Sequence, residues 1–391
     1  MSRPTWNRGP ERRNTEWNCR LLCHPDTESG LEVLGMESSP LKFGIVGLGH
    51  IGKRHAEMIR RQEGCTLVAG CDIRPMEMLG LQGDFAFHQG IDAMLAAHND
   101  LDVVCICTPN GLHAEQAIQA LESGSHVIIE KPMALSSADG EAVLHKALEV
   151  GRQVFCVMQN RYSPPSVWLK ELVDSGKLGR IHMVQVNCFW NRDDRYYGKI
   201  PWKGTMDLDG GTLFTQFSHF IDIVYWLFGD MRNFTARFAD FSHGHNTDFE
   251  DSGLVMFEFA KGGLGTLQFS TAVAETNFES ALTIVAERGT VKVGGQYMNE
   301  VEYCRIEDYE MPELPASNPA NDYGHYKGSA ANHGYVFENV HDTLRGSGKI
   351  STNALEGLKV VDIIERIYDA ADRGLKVMST SGIEANQSGT G

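Results

Sequence analysis

The sequence predicts an α/β protein of two domains. An N-terminal doubly wound parallel sheet of the Rossmann type precedes a C-terminal α/β domain built on a large, mostly antiparallel open sheet. Three observations predict it. Strand-like and helix-like runs alternate from Leu41 to about Val157. A glycine-rich turn, Gly47-Leu48-Gly49-His50-Ile51-Gly52, joins the first strand-like run to the first helical one. Beyond Tyr162 the alternation gives way to closely spaced β-like runs. With 391 residues the chain is too long for one ordinary core and suits two.

The elements follow in order. Residues 42–46 are apolar and lead into Gly47. Residues 50–62 have helical spacing, with Ile51, His55, Met58 and Ile59 on one side. A short strand at 66–71 and a helix at Ile91–Ala97 come next. Residues 102–107 are continuously apolar, as a parallel strand covered on both faces should be. A helix at 112–122 stops at Gly124, and a strand follows at 126–130. Ser136 or Ser137 caps a helix running to 150, and a last strand spans 154–157. In the second half, 165–175 and 212–228 read as helices and 181–191 as a strand. Further strands are expected at 234–241, Ser252–Phe259, 265–271, 281–287, 290–293 and Glu300–Ile306, with a hairpin turn at Lys261-Gly262-Gly263. Residues 312–323 read as a loop, and helices close the chain at His333–Leu344 and 355–373. The resulting division is a polar leader at 1–40, a cofactor domain at 41–162, a substrate-binding and oligomerisation domain at 163–378 and a tail at 379–391.

Composition excludes several functions. Apolar residues make up 42% and charged residues 22%, and no run is long and apolar enough to span a bilayer. The net charge of −16 argues against nucleic-acid and anionic-membrane partners, though a local basic cluster can still take an anionic small molecule. Nine cysteines, an odd number with several in apolar strands, read as reduced thiols of a cytoplasmic protein. Cys19, Cys23 and His24 have no second ligand pair nearby, so no metal is expected. Arg12-Arg13 is followed by polar residues instead of an apolar stretch, which rejects export; Met36 is a candidate start.

The glycine turn carries the cofactor expectation. Gly47 permits the tight turn, Gly49 lets the backbone approach a pyrophosphate, and Gly52 lets helix and strand pack closely; Leu48, His50 and Ile51 complete the cradle. Asp72 follows Gly52 by 20 residues, where a carboxylate accepts the ribose hydroxyls of NAD and repels a 2′-phosphate. Arg74 softens that preference and keeps NADP as the alternative. Thr108, Pro109 and Asn110 should border the dinucleotide, with His113 structural or at the cofactor's edge.

Lys131 stands between Glu130 and Pro132 at the carboxyl end of a parallel strand, where open α/β sheets bind ligands. A partly desolvated lysine there exchanges a proton near neutrality; by local sequence alone it serves equally well as a surface partner of Glu130. Thr215, His219 and Asp222 share one face of an otherwise apolar helix, so His219 is either a satisfied core residue or faces a cleft. The stretch 191–205 holds Arg192, Arg195, Lys199 and Lys203 among Tyr196, Tyr197 and Trp202. It suits phosphate or carboxylate recognition with ring stacking, or else a solvated loop paired with Asp193 and Asp194. Arg161 opens the second domain and is a candidate for the same cleft.

Together these residues resemble the glucose–fructose oxidoreductase/inositol dehydrogenase/MocA-like (Gfo/Idh/MocA) family over about residues 41–377. The resemblance rests on GLGHIG at 47–52, CTPN at 107–110, EKP at 130–132 and the run 210–229 with His219. It implies that Lys131 and His219 flank a substrate hydroxyl beside the nicotinamide, with Glu130 at the cofactor site. It also implies a homodimer or homotetramer formed through the C-terminal sheet. Polyol-oxidising members usually carry an aspartate four residues before the histidine, where this chain has Thr215. The stretches QNRYSPP, YYGKIPWKGT, DGGTLFTQFSHFIDI and ERGTVKVGG resemble the nucleotide-sugar branch, which includes UDP-N-acetyl-glucosaminuronate 3-dehydrogenases of surface-polysaccharide biosynthesis. Asparagine is common there at the position of Thr215. The implied function is NAD-dependent oxidation of a sugar's secondary hydroxyl at C3 of a UDP-N-acetyl sugar or its uronic acid. Arg161, Arg192, Arg195, Tyr197, Trp202 and Thr215 are then substrate-binding. The alternatives are an inositol or free-sugar dehydrogenase of the same fold and a non-catalytic NAD-binding regulator.

Overall fold

The computed structural model describes residues 39–80, 83–198, 200–324 and 326–373. The readings made for residues 1–38, Lys199 and the tail at 379–391 lie outside them.

Six strands form the first sheet: β1 (Leu41–Val46), β2 (Cys65–Cys71), β3 (Ala86–His88), β4 (Val103–Ile106), β5 (His126–Ile129) and β6 (Val154–Cys156). Their order is β3-β2-β1-β4-β5-β6, and every pair is parallel. Chain order reverses between β1 and β4, which opens a crevice at the carboxyl ends of these strands. The connecting helices are α1 (His50–Arg61), α2 (Met76–Leu79), α3 (Ile91–Ala97), α4 (His113–Glu122) and α5 (Ser137–Val150). Ser136 caps α5 through its hydroxyl, which accepts the N–H of Asp139 at 3.1 Å. The four residues of β4 are all buried, as a strand covered on both faces requires.

The second half comprises α6 (Pro164–Asp174), β7 (Ile181–Phe189), α7 (Asp194–Tyr197), a π-helical turn at Leu213–Phe217 and α8 (Ser218–Phe228). Strands β8 (Met231–Ala239), β9 (Ser252–Phe259), β10 (Leu264–Ser270), β11 (Glu279–Ala286), β12 (Gly289–Gly294) and β13 (Glu300–Ile306) follow. They pair in the order β13-β12-β11-β7-β10-β9-β8, antiparallel except for β7 with β10. The α/β fold class expected from the sequence is therefore borne out. Side chains alternate across this sheet: Val255, Phe257 and Phe259 of β9 are buried, while Leu254 and Met256 face outward. Helices α6 and α8 bury the inner face.

A short hairpin, β14 (Ala320–Asp322) and β15 (Lys327–Ala330), leads into α9 (His333–Leu344) and α10 (Ala354–Arg373). These last helices return to the first sheet. Phe337 of α9 packs on Phe43 of β1, and Leu358 of α10 joins Met133 and Val143. Further along, Val360, Ile364 and Ile367 of α10 enter the core of the second sheet. One helix thus contributes to both interiors.

Three local expectations are corrected. The segment 312–323 is not all loop, because its end pairs as β14. The helix expected at 212–228 is interrupted by the π-helical turn. The basic stretch contains the short helix α7, with the Asp193 side chain accepting the N–H of Arg195 at 2.9 Å.

Candidate active site

A cleft of about 880 Å³ runs along the carboxyl ends of the first sheet. Gly49, Asp72 and Arg74 line one end, Thr108, Lys131 and His219 its middle, and Tyr196, Trp202 and Lys203 the other end.

The glycine turn needs its glycines for steric reasons. Gly47 has φ +87°, and a Cβ there would sit 2.8 Å from the Cys107 carbonyl oxygen. A Cβ on Gly52 would lie 1.9 Å from the Gly47 oxygen. Next to Gly49, the nearest atom to a built Cβ is an Arg74 nitrogen at 3.9 Å, so the space over that residue is open. No side chain caps α1, and its first N–H groups face this opening. His50 and Ile51 line it, whereas the Leu48 side chain is buried and only its N–H reaches out, to Asp72 at 2.9 Å. Asp72 also accepts from the N–H, Nε and Nη2 of Arg74, each at 2.9 Å. Burial opposes the Asp72 charge, but these donors outweigh it and hold the carboxyl below its ordinary value.

Thr108, Pro109 and Asn110 border the cleft. Asn110 also crosses to the second half, donating to the Asp209 carbonyl at 2.9 Å. His113 is buried, with ring nitrogens 2.7 Å from the Pro132 carbonyl and 2.9 Å from that of Thr108. It pins two cleft loops together.

Lys131 and His219 meet in the cleft from opposite halves. The Lys131 Nζ donates to the Thr215 carbonyl at 2.8 Å, four residues before His219. Burial, then Arg192, lowers the Lys131 ammonium below its ordinary value, against Glu130 and Asp209. Burial and the Lys131 charge push His219 well below the ordinary imidazole value, so the ring is neutral. Its Nδ1 is buried without a hydrogen-bond partner among the described residues. Thr215 lines the cleft, and the nearby Asp209 carboxylate accepts the Gly204 N–H at 2.8 Å. Asp222 does not share this face: it holds Arg161 at 2.6 and 2.9 Å.

The far end of the cleft is aromatic and cationic. Arg192 is fully buried, and its guanidinium lies about 5 Å from the Trp190, Tyr196 and Tyr326 rings. It donates to Gln216 at 2.6 Å, to the Asn191 carbonyl at 2.6 Å, to Asn277 at 3.1 Å and to the Lys327 carbonyl at 3.2 Å. It therefore builds the wall. The Lys203 Nζ sits 3.4 Å over the Tyr196 ring, its ammonium lowered to about 7 by burial, with Asp209 opposing and Arg192 reinforcing the shift.

Three expected substrate residues lie elsewhere. Arg161, in the turn after β6, points into an ion-pair network with Asp222 and, at 2.7 Å, Glu356 of α10. Arg195 folds back on Asp193 and on the Glu275 carbonyl. Tyr197 packs against Phe249 and His243, and its neighbour Tyr196 faces the cleft instead. Trp202 does line the cleft. Asp209, Gln216, Tyr323, Tyr326 and His333 were not singled out from the sequence. Asp209 sits beside Gly210-Gly211 and looks like a turn residue, and the two tyrosines lie between β14 and β15, at and just beyond the end of the segment 312–323 read as loop.

The family model for the NAD-binding Rossmann fold matches residues 41–158, and that for the GFO/IDH/MocA C-terminal domain matches residues 167–292. The chain belongs to the Gfo/Idh/MocA oxidoreductase family. This Gfo/Idh/MocA chain is 30% identical to the WlbA dehydrogenase of Bordetella pertussis, solved in complex with NADH and UDP-GlcNAcA. That likeness covers 86% of this chain and 98% of the other, with a TM-score of 0.76. The chain is 26% identical over 362 residues to a D-glucoside 3-dehydrogenase of Escherichia coli (strain K12), covering 88% of this chain and 98% of the relative. It is 29% identical over 222 residues to a 1-carboxy-3-chloro-3,4-dihydroxycyclohexa-1,5-diene dehydrogenase of Comamonas testosteroni. That match covers 56% of this chain and 55% of the relative's length.

The protein is an NAD-dependent dehydrogenase. Its residues fit the cofactor: open space over Gly49 and uncapped N–H groups of α1 suit the pyrophosphate, and the charged Asp72 suits the ribose hydroxyls. When bound, NAD supplies the hydride acceptor. No helix among the described residues is long and apolar enough to cross a membrane. All seven described cysteines are free thiols.

Proposed function

We propose that the enzyme oxidises the C3 hydroxyl of a UDP-N-acetyl sugar, with the uronic acid as the preferred form. The observation that carries this reading is the convergence of a half-buried lysine from the first half and a buried neutral histidine from the second on one point of the cleft. His219 accepts the hydroxyl proton as general base. Lys131 spends one N–H on Thr215 and donates another to the substrate oxygen, offsetting the negative charge that develops there. Trp202 offers a ring face to the base, and Lys203 offers a cation to an acidic substituent. The WlbA complex supports the substrate class. The outward face of the second sheet supports self-association of the chain.

The test is NADH formation at 340 nm with UDP-N-acetylglucosaminuronate, UDP-N-acetylglucosamine and myo-inositol offered in parallel. Turnover of the sugar acid with none of inositol is the expected result. Turnover of inositol alone overturns the substrate, and no turnover of any hydroxyl compound by NAD-loaded protein overturns the reaction.

A further inference from the structure

Beneath Lys131, three polar side chains converge from separate parts of the chain. Glu130 follows β5, His55 belongs to α1, and His333 opens α9; all are buried. The His55 Nε2 lies 2.9 Å from one Glu130 oxygen, and the His333 Nε2 lies 3.6 Å from the same atom. The other oxygen accepts the main-chain N–H of Lys131 at 3.3 Å.

The hydrogen positions follow from this geometry. A carboxylate only accepts, so His55 carries its hydrogen on Nε2. Its Nδ1 is then an acceptor for the Cys107 thiol, 3.3 Å away. Burial pushes that thiol well above its ordinary value, so it keeps its proton. Burial also lowers His333, with His55 adding to this and Glu130 opposing it. The His333 Nδ1 is buried without a partner among the described residues, which suits a bare lone pair on a ring whose hydrogen points to Glu130. Burial opposes the charge on Glu130, but His333 and His55 outweigh it and hold the carboxyl well below its ordinary range.

We propose that Glu130 is a positioning residue: His55 and His333 fix its carboxylate as the permanent counter-charge of the Lys131 ammonium. The proposal rests on the reading of Lys131 as the donor to the substrate oxygen. The charged groups facing Lys131 are Glu130, Arg192 from the segment after β7 and Asp209 from the segment before the π-helical turn. His219 of α8 is pushed well below its ordinary value by burial and stays neutral, and His113 of α4, lowered by burial, holds both ring nitrogens against the Pro132 and Thr108 carbonyls. Around Glu130, Cys105 of β4, Cys107 just beyond it and Tyr323 beyond β14 are raised by burial and keep their protons. Without Glu130, Asp209 alone among these groups opposes burial and Arg192, and Lys131 gives up its proton at lower pH. An uncharged amine no longer offsets charge on the substrate oxygen, so activity falls off at lower pH as well.

The test is reductive methylation of the NAD-loaded protein with ¹³C-formaldehyde, followed by NMR titration of the Lys131 resonance, assigned by its loss in Lys131→Met. Glu130→Gln is expected to lower the Lys131 midpoint by about one pH unit. The alkaline limb of kcat moves down with it. Glu130→Asp restores part of the shift, and His333→Gln, which keeps a donor, leaves the midpoint in place. Should Glu130→Gln fail to fold, His333→Leu replaces it: the carboxylate loses a group that holds it ionised, and the midpoint falls. An unmoved midpoint in the folded variant overturns the proposal. So does one equivalent of zinc retained through dialysis and lost in His333→Gln, which would make the cluster a metal site. If Lys131→Met keeps full activity while the midpoint still follows Glu130, the reading of Lys131 fails and the counter-charge stands.

Discussion

Asp72 is anionic, shielded, and shared between the Leu48 N–H and Arg74. Asp72→Asn removes the charged acceptor for the ribose and releases Arg74. Its expected effect is a rise of about ten- to a hundredfold in the Kd for NAD, with the NADP preference rising, both read by calorimetry. Lys131→Ala should lower the rate of NADH formation by about 10²- to 10⁴-fold while the Kd for NAD stays within a few-fold, since the lysine acts on the substrate oxygen. Lys203 carries a pH signature. Its ammonium is lowered to about 7, so the cation is present below that pH and lost above it. An acidic sugar should therefore show a KM that rises as pH passes upward through about 7, whereas the KM of its uncharged counterpart stays flat. Initial rates measured with both substrates from pH 6 to pH 9 check this.

Between residue and molecule stands the apolar segment that carries His219. Helical spacing placed Thr215, His219 and Asp222 together, but the π-helical turn at Leu213–Phe217 inserts an extra residue into the winding. Thr215 and His219 reach the cleft, while Asp222 turns to Arg161. That arginine joins the turn at Gln159–Tyr162, α8 and α10 through Asp222 and Glu356. The ion pair with Asp222 is almost fully buried, with side-chain exposures of 4% and 1%. Removing one partner strands a buried charge. Arg161→Met should cost about 3–5 kcal/mol in urea unfolding and lower kcat through the loosened α8, without acting on the substrate directly.

At the scale of the molecule, α10 enters the cores of both sheets and so ties the cofactor half to the substrate half. The outer face of the second sheet exposes Met183, Leu254, Met256, Leu264 and Tyr303, with Leu254 59% and Met256 58% exposed. Neighbouring strands bring these side chains onto one surface: Leu264 pairs with Met183, and Leu254 and Met256 alternate with buried residues on β9. An apolar face of this kind favours self-association. The double change Leu254→Glu and Met256→Glu should convert a dimer or tetramer into a monomer by light scattering, with the Kd for NAD unchanged.

Much was legible from local pattern. The all-parallel sheet follows from alternating apolar runs, and the glycine turn from residues whose spacing is dictated by backbone contact, as Gly52 against Gly47 makes plain. Lys131 and His219 could be nominated because a strand end and an apolar helix each place one polar group in a predictable direction. Arg161, Arg195 and Tyr197 were legible only as residue types. Nothing in their neighbours along the chain tells whether a cation will meet a substrate or a carboxylate such as Asp222, 61 residues away. By itself the sequence determined most of the longer strands and helices and the cofactor they hold, because those depend on short-range periodicity and turn sterics. Tertiary structure alone decided which charges pair, how the π-helical turn aims His219, and that Glu130, His55 and His333 gather under one lysine. Electrostatic partnership depends on distance in space, and that distance exists only after the chain has folded.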